Sequence, residues 1–255
     1  MSAWRRILVA VDASPLSMAA MEAAAALAGR LGAEVEAVFV EDVNLRRLVA
    51  HPHVHSFSLS AVGSRVHDDA LLEKALELQS LAARRALERA AAVAEIRAIF
   101  TLRRGMVAAE LLAAAESADL VCLGWSGRAR PVRRLGSIAR ALMQSAPRPV
   151  MALRRPGFER VVALWDGSEP ARRALAVAAV LAARDGGEVG IIAPSAALLP
   201  EAQAFLAEWG VGAHLSRIGR APAVVETLAP DSLLVAAAES GVAPEQAPCS
   251  VVMAR

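Results

Sequence analysis

Tyrosine is absent from this chain, and aromatic residues make up only 4% of its 255 positions. A protein that holds single-stranded nucleic acid needs aromatic platforms for base stacking, and a formal net charge of +2 supplies no strong field for a duplex. Nucleic acid is therefore excluded as the main partner. Cysteine occurs twice, as Cys122 and Cys249, far apart and inside apolar runs. That excludes a disulfide framework and a thiolate metal site, and both read as buried, reduced thiols. No stretch reaches about 18 apolar residues without a charge, and Met1-Ser2-Ala3-Trp4-Arg5-Arg6 runs into a strand-like segment without a hydrophobic leader core. The expectation is a soluble, cytoplasmic protein with no membrane partner.

Catalytic signatures are missing as well. There is no Gly-x-x-x-x-Gly-Lys-Ser/Thr loop, no Gly-x-Gly-x-x-Gly fingerprint, no Gly-x-Ser-x-Gly elbow and no His-Glu-x-x-His pair. No general base stands beside the glycine-rich segment described below, so no catalytic residue is assigned, and ATP hydrolysis, if any, is expected to be slow. His51, His53 and His55 alternate, with His67 nearby, but no carboxylate or thiol joins them at ligand spacing. They read as a loop, not a metal site.

What is present is a hydrophobic fraction of 56%, largely alanine, in alternating β-branched runs and long helical periods. Ile7–Val11 reads as a strand, Asp12-Ala13-Ser14-Pro15 as a turn, and Leu16–Leu31 as a helix ended by Gly32. The strand Val35–Val40 closes a right-handed βαβ unit. A polar stretch and a long helix, Ala70–Val93, lead to strand Ile96–Leu102 and helix Val107–Ser117. Strand Leu120–Leu123, a glycine loop, helix Ser137–Ser145 and strand Val150–Leu153 complete a five-stranded doubly wound α/β pattern.

The pattern then restarts. A shift of 154 positions lays Ile7–Ser14 on Val161–Ser168, and Gly32–Val35 on Gly186–Val189. A shift of 114 aligns Gly105 with Gly219 and Val121–Gly127 with Val235–Gly241; about 40 residues, the His loop and long helix, are missing between. A shift of 101 matches Pro147 with Pro248 and Arg154 with Arg255, which removes a further 13 around the glycine loop. The predicted fold class is α/β, as two tandem doubly wound parallel five-stranded sheets. The units are residues 1–155 and a reduced copy, 156–255. The first holds 21 Lys and Arg against 15 Asp and Glu, and the second 7 against 11.

In a doubly wound sheet, ligands bind outside the carboxyl ends of the strands where strand order reverses. The first unit gathers distinctive residues there: Asp12 after strand one, Val40 ending strand two, Gly105 after strand three and Gly124-Trp125-Ser126-Gly127 after strand four. Gly136-Ser137 then opens a helix, whose free amides favour an anion. Glycines let a backbone approach phosphate oxygens, and Arg128, Arg130, Arg133 and Arg134 can neutralise phosphate charge. The same residues also suit an ordinary strand-to-helix turn, with an Asx hydrogen bond from Asp12 to its own turn.

ILVAVDAS (Ile7–Ser14), FVED (Phe39–Asp42), Gly105, LGWSG (Leu123–Gly127), LGS (Leu135–Ser137) and PRPVMAL (Pro147–Leu153) stand in the order of the universal stress proteins. The first unit resembles that family throughout. The family's ATP-binding members carry Gly-x-x-Gly, nine residues, then Gly-Ser or Gly-Thr. Carried over residue by residue, the resemblance implies an adenine contact for Asp12 and base-side backbone from Val11 and Val40. It implies ribose or phosphate contacts from Gly124, Gly127, Gly136, Ser137 and Ile138. Here the spacer between Gly127 and Gly136 is eight residues and contains Pro131, so ATP, ADP and AMP, with magnesium, all stand as candidate ligands. The second copy keeps Asp166-Gly167-Ser168 but, by the shift of 114, has Ala238 for the first loop glycine and nothing for Gly136-Ser137, so it is not expected to bind ATP. In the family, units pair side by side, which implies an intramolecular pseudo-dimer that a two-fold contact could double into a homodimer. A regulatory nucleotide-binding protein of the stress response is the leading reading, and a nucleotide-free module that docks a protein partner is the alternative.

Overall fold

The computed structural model describes residues 4–49, 69–126, 135–183, 187–220 and 223–255. The four His of the predicted loop, together with Gly127 and the spacer arginines, lie outside the described residues.

The chain opens with β1 (Arg6–Val11), α1 (Pro15–Leu31) and β2 (Glu34–Asp42). Ser14 caps α1 by accepting from the Ser17 amide, Pro15 pre-sets the first turn, and Gly32 ends the helix with a left-handed φ of 66°. A short α2 (Val43–Val49) and the long α3 (Asp69–Ala94) precede β3 (Ala98–Gly105). Next come α4 (Val107–Ala115), β4 (Leu120–Gly124), α5 (Ser137–Ser145) and β5 (Val150–Leu153). The second half comprises β6 (Arg160–Leu164), α6 (Glu169–Ala182), β7 (Glu188–Ala193), α7 (Leu199–Ala207), β8 (Gly212–Ile218), β9 (Ser232–Ala237) and β10 (Ser250–Ala254).

The ten strands of the described residues form one sheet in the order β3-β2-β1-β4-β5-β10-β9-β6-β7-β8. Read from each outer edge inward, both halves have the same doubly wound order. Within each half every pairing is parallel. The sequence pattern called for two sheets; the halves are instead joined edge to edge by an antiparallel ladder of β5 and β10, which pairs Met151 with Val252. Central strands read as unbroken apolar runs because both faces are covered. Ile7, Val9 and Val11 face one core with α1, α3, α6 and α7, whereas Leu8, Val121 and Leu123 face another with α4 and α5.

Three sequence expectations are corrected by the register. β1 pairs Ile7 with Leu120, and β6 pairs Val161 with Leu233, so the fourth strands are related by 113 positions, not 114. Ala237, not Ala238, therefore stands where Gly124 does. Leu102 lies beside Phe39 and Ile218 beside Ala193, past a β-bulge in β8, so Gly219 follows the position of Leu102 and does not match Gly105. The long helix is reduced to the nine residues of α7, not deleted outright. On the other face, single 3-10 turns at Val225–Thr227 and Pro244–Gln246 stand in for α4 and α5. Val225, Leu228, Val242 and Cys249 from those connections cover the sheet there.

Candidate functional site

Strand order reverses between β1 and β4, and Asp12 and Gly124 stand at the carboxyl ends of these two strands, with Val40 near the end of β2 and Gly105 ending β3. Asp12 is exposed at the end of β1, and its Oδ1 accepts from the Ser14 amide at 2.9 Å, the Asx turn that the residue type favours. Ala13 between them has φ 55°, in the region that disfavours a Cβ. Ser17 Oγ donates to the Ser14 carbonyl and accepts from the Asp12 amide at 3.3 Å, so the turn is held from three sides. Val11 is buried in the core, and Val40 is half-buried near the end of β2.

Gly124 ends β4, and a Cβ there would stand 2.9 Å from the Leu16 carbonyl carbon and 3.0 Å from the Ser17 nitrogen. Its bare Cα admits the first turn of α1 against the strand. Trp125 follows, fully buried, with its amide donating to the Leu153 carbonyl at 2.8 Å. The Gly136 amide donates to the Trp125 carbonyl at 2.9 Å. That bond brings the start of α5 back to the end of β4 across the span that contains Gly127. It also uses the Gly136 N–H, so the amides left to face a ligand are those of the first turn proper.

Gly136 is the residue before the helix, and no side chain caps it. Ser137 is the exposed first helical residue, with half-buried Ile138 next. Helix α1 and helix α6, by contrast, are each closed by their own serine, Ser14 or Ser168. Among the described residues no side chain caps the start of α5, which sets the positive end of a helix dipole beside the switch point.

Two groups that sequence reasoning missed tie this loop to the second half. The Arg154 guanidinium lies over the Trp125 ring, 3.6 Å from its centroid, and the Arg154 amide donates to Ser250 Oγ at 3.1 Å. Arg140 on α5 pairs with Glu245 in the connection between β9 and β10. The repeat had marked Arg154 only as the match of Arg255; nothing in a single sequence ties it to a tryptophan 29 positions earlier in the chain.

In the second half, order reverses between β6 and β9, and a cavity of about 390 Å³ opens there. Trp165, Asp166, Ser168, Ile192, Arg220 and Glu239 are among its lining. A wider groove of about 910 Å³ lies at the opposite ends of the strands, among Arg5, Gly32, Glu95 and Asp119. Among the described residues no group of three or more His, Cys, Asp or Glu is placed to hold a metal, and no helix is long and apolar enough to cross a membrane.

A family model described as the universal stress protein family matches residues 3–154. Over 98% of the chain, the fold is similar to a universal stress protein from Archaeoglobus fulgidus DSM 4304, with 19% identity, 96% of that chain covered and a TM-score of 0.68. A provisionally assigned universal stress protein from Pseudomonas aeruginosa UCBPP-PA14 matches 99% of the chain and 93% of its own, with 17% identity and a TM-score of 0.56. A universal stress protein solved in complex with cAMP matches 60% of the chain and 98% of its own, at 18% identity and a TM-score of 0.42. No curated protein matches the chain.

Proposed function

The chain belongs to the universal stress protein family, and from that premise we propose that it is a regulatory stress-response protein whose first unit, residues 1–155, binds ATP, ADP or AMP. Residues 156–255 are a shortened second unit that packs against the first as an intramolecular pseudo-dimer, in the cytoplasm. Support for the pairing comes from Met151 and Val252, which the shift of 101 relates and which face each other across the seam.

One observation carries the nucleotide reading: the uncapped first turn of α5 is held against the end of β4 by the Gly136–Trp125 hydrogen bond, on the same rim as Asp12. Free amides at a helix start suit a phosphate, and the Ser137 hydroxyl adds a donor. The residues present therefore fit the phosphate end of a nucleotide, with Asp12 and the backbone of Val11 and Val40 at the base end. Magnesium would enter with the phosphates. The chain's own groups bind and orient the nucleotide in this reading.

A second reading, a nucleotide-free module that docks a protein partner, is favoured by the Asp12 Oδ1 and the Gly136 amide, both already satisfied within the protein. Thermal melting separates the two. ATP, ADP or AMP with magnesium at millimolar concentration raises Tm by mass action if a site exists, and Gly136→Val cancels that rise while leaving the unliganded Tm near wild type. No shift with any of the three nucleotides would hand the case to the docking module.

A further inference from the structure

We infer that the second half positions the start of α5 through Glu245, and so sets how tightly the first half holds a phosphate-bearing ligand. The consequence for affinity rests on the first half binding nucleotide, whereas the hold on α5 does not. The body of α5 is fixed by its own apolar face, since Ala139, Leu142 and Met143 are buried. Its first turn has weaker ties: Gly136 at the N-cap offers no side chain, Ser137 is exposed, and one backbone bond runs from the Gly136 amide to the Trp125 carbonyl. A helix end without a side-chain cap frays readily, so whatever else touches this turn governs where it rests.

That contact comes from the second half. Arg140, one turn into α5, pairs with Glu245, and the Arg140 amide makes the first bond of the helix, to the Gly136 carbonyl at 3.0 Å. Glu245 Oε1 is sealed from solvent, so the Arg140 guanidinium stands where water would otherwise solvate that oxygen. Glu245 also lies near Arg154, whose guanidinium covers Trp125 and whose amide donates to the oxygen of buried Ser250 at 3.1 Å. One carboxylate therefore serves two cations, one on α5 and one on the tryptophan whose carbonyl receives the Gly136 amide. Without it the two guanidiniums repel, and the first turn loses its tether to the end of β4. Glu245 reaches this place from the 3-10 turn Pro244–Gln246, which stands where the first half has α5. The turn is itself braced, because the Gln246 side chain accepts from the Ala243 amide at 3.2 Å and the Gln246 amide donates to the Ala243 carbonyl at 3.0 Å. An ion pair with a half-exposed arginine adds little to stability, so the role left to Glu245 is placement.

Glu245→Gln keeps the shape of the side chain and removes its charge. Hydrogen exchange read by mass spectrometry on the unliganded full chain should show peptides covering residues 135–145 exchanging about fivefold faster in this variant, with the other strands and helices unchanged. Tm should fall by no more than about 4 °C. In calorimetry, ATP with magnesium should bind Glu245→Gln about fivefold more weakly than wild type. A carboxylate that acted only through its field would do the reverse, because its removal leaves more positive charge beside the phosphates. Arg140→Gln should give a similar loss, and the double variant should bind no more weakly than either single one, since both remove the same contact. Unchanged exchange over 135–145, ATP binding in Glu245→Gln as tight as wild type or tighter, or additive losses in the double variant each overturn the inference. If the wild type binds none of ATP, ADP and AMP, the proposed function fails and the consequence for affinity with it. Exchange then decides the hold on α5 alone: faster exchange in Glu245→Gln, not increased further in the double variant, supports it, and unchanged exchange overturns it.

Discussion

The guanidinium of Arg154 stacks on Trp125 at 3.6 Å from the ring centroid, joining the residue after β5 to the loop after β4. Arg154 is half-buried; burial pushes its pKa down, opposed by Cys249 and Glu245 nearby. A half-buried cation over an indole contributes about 1 kcal/mol. Arg154→Ala should destabilise the protein by at least that amount in urea unfolding. Arg154→Lys should recover less than half, because an ammonium has no planar face to stack. Full recovery by lysine would show that charge alone matters.

The two Asp-x-Ser turns form a matched pair for testing backbone strain. Ala13 has φ 55° and Gly167 φ 82°, and in each turn the aspartate accepts from the serine amide at 2.9 Å. A left-handed residue with a Cβ costs about 1–2 kcal/mol. Ala13→Gly should raise stability by up to about 1 kcal/mol once the added freedom of the unfolded chain is subtracted, and Gly167→Ala should lower it by at least 1 kcal/mol. A Cβ at Gly167 would come no nearer than 3.6 Å to Leu198, so backbone conformation and not crowding sets that loss.

Both thiols should resist modification. Burial pushes the Cys122 thiol far above its ordinary value and raises that of Cys249, against smaller opposing effects from backbone hydrogen bonds, Arg154 and Arg155. Mass spectrometry after alkylation at pH 8 should find neither modified in the native protein and both modified in urea. The folded state keeps protons that the unfolded chain loses near pH 9, so the thiol contribution to stability is complete below that pH. It declines as pH rises beyond it, by up to about 1.4 kcal/mol per pH unit for each thiol. A Tm that climbs between pH 9 and 10 would contradict the sign.

The division between the two switch points predicts unequal effects of equivalent substitutions on ATP. Asp12→Ala and Asp166→Ala each remove an Asx hydrogen bond and should cost about 1 kcal/mol of stability. Only Asp12→Ala should weaken ATP, by about tenfold or 1.4 kcal/mol in calorimetry. Equal losses from both would mean that ATP occupies the second cleft as well.

Where local chemistry dictates geometry, the sequence was easy to read. Ser14-Pro15 and Gly32 bound α1 to within one residue of expectation, and Ser137–Ser145 and Val150–Leu153 match without change. Alanine runs were another matter. Ala236, Ala237 and Ala238 look alike to any pattern, so the offset of 113 was visible only once Leu233 was seen beside Val161. The glycine of β4 was legible as a glycine, yet its contact with Leu16 and Ser17 depends on how α1 leans on the strand.

Sequence alone determined most strands and helices of the first half and the Asp-x-Ser turns, because strand periodicity, caps and turn residues act within a few positions of one another. Tertiary structure decided the rest. It fused the two halves into one sheet through β5 and β10, placed Arg154 on Trp125, spent the Gly136 amide on the Trp125 carbonyl and left a cavity beside Asp166. These relations join groups distant in the chain, and packing in three dimensions, not local propensity, sets their distances.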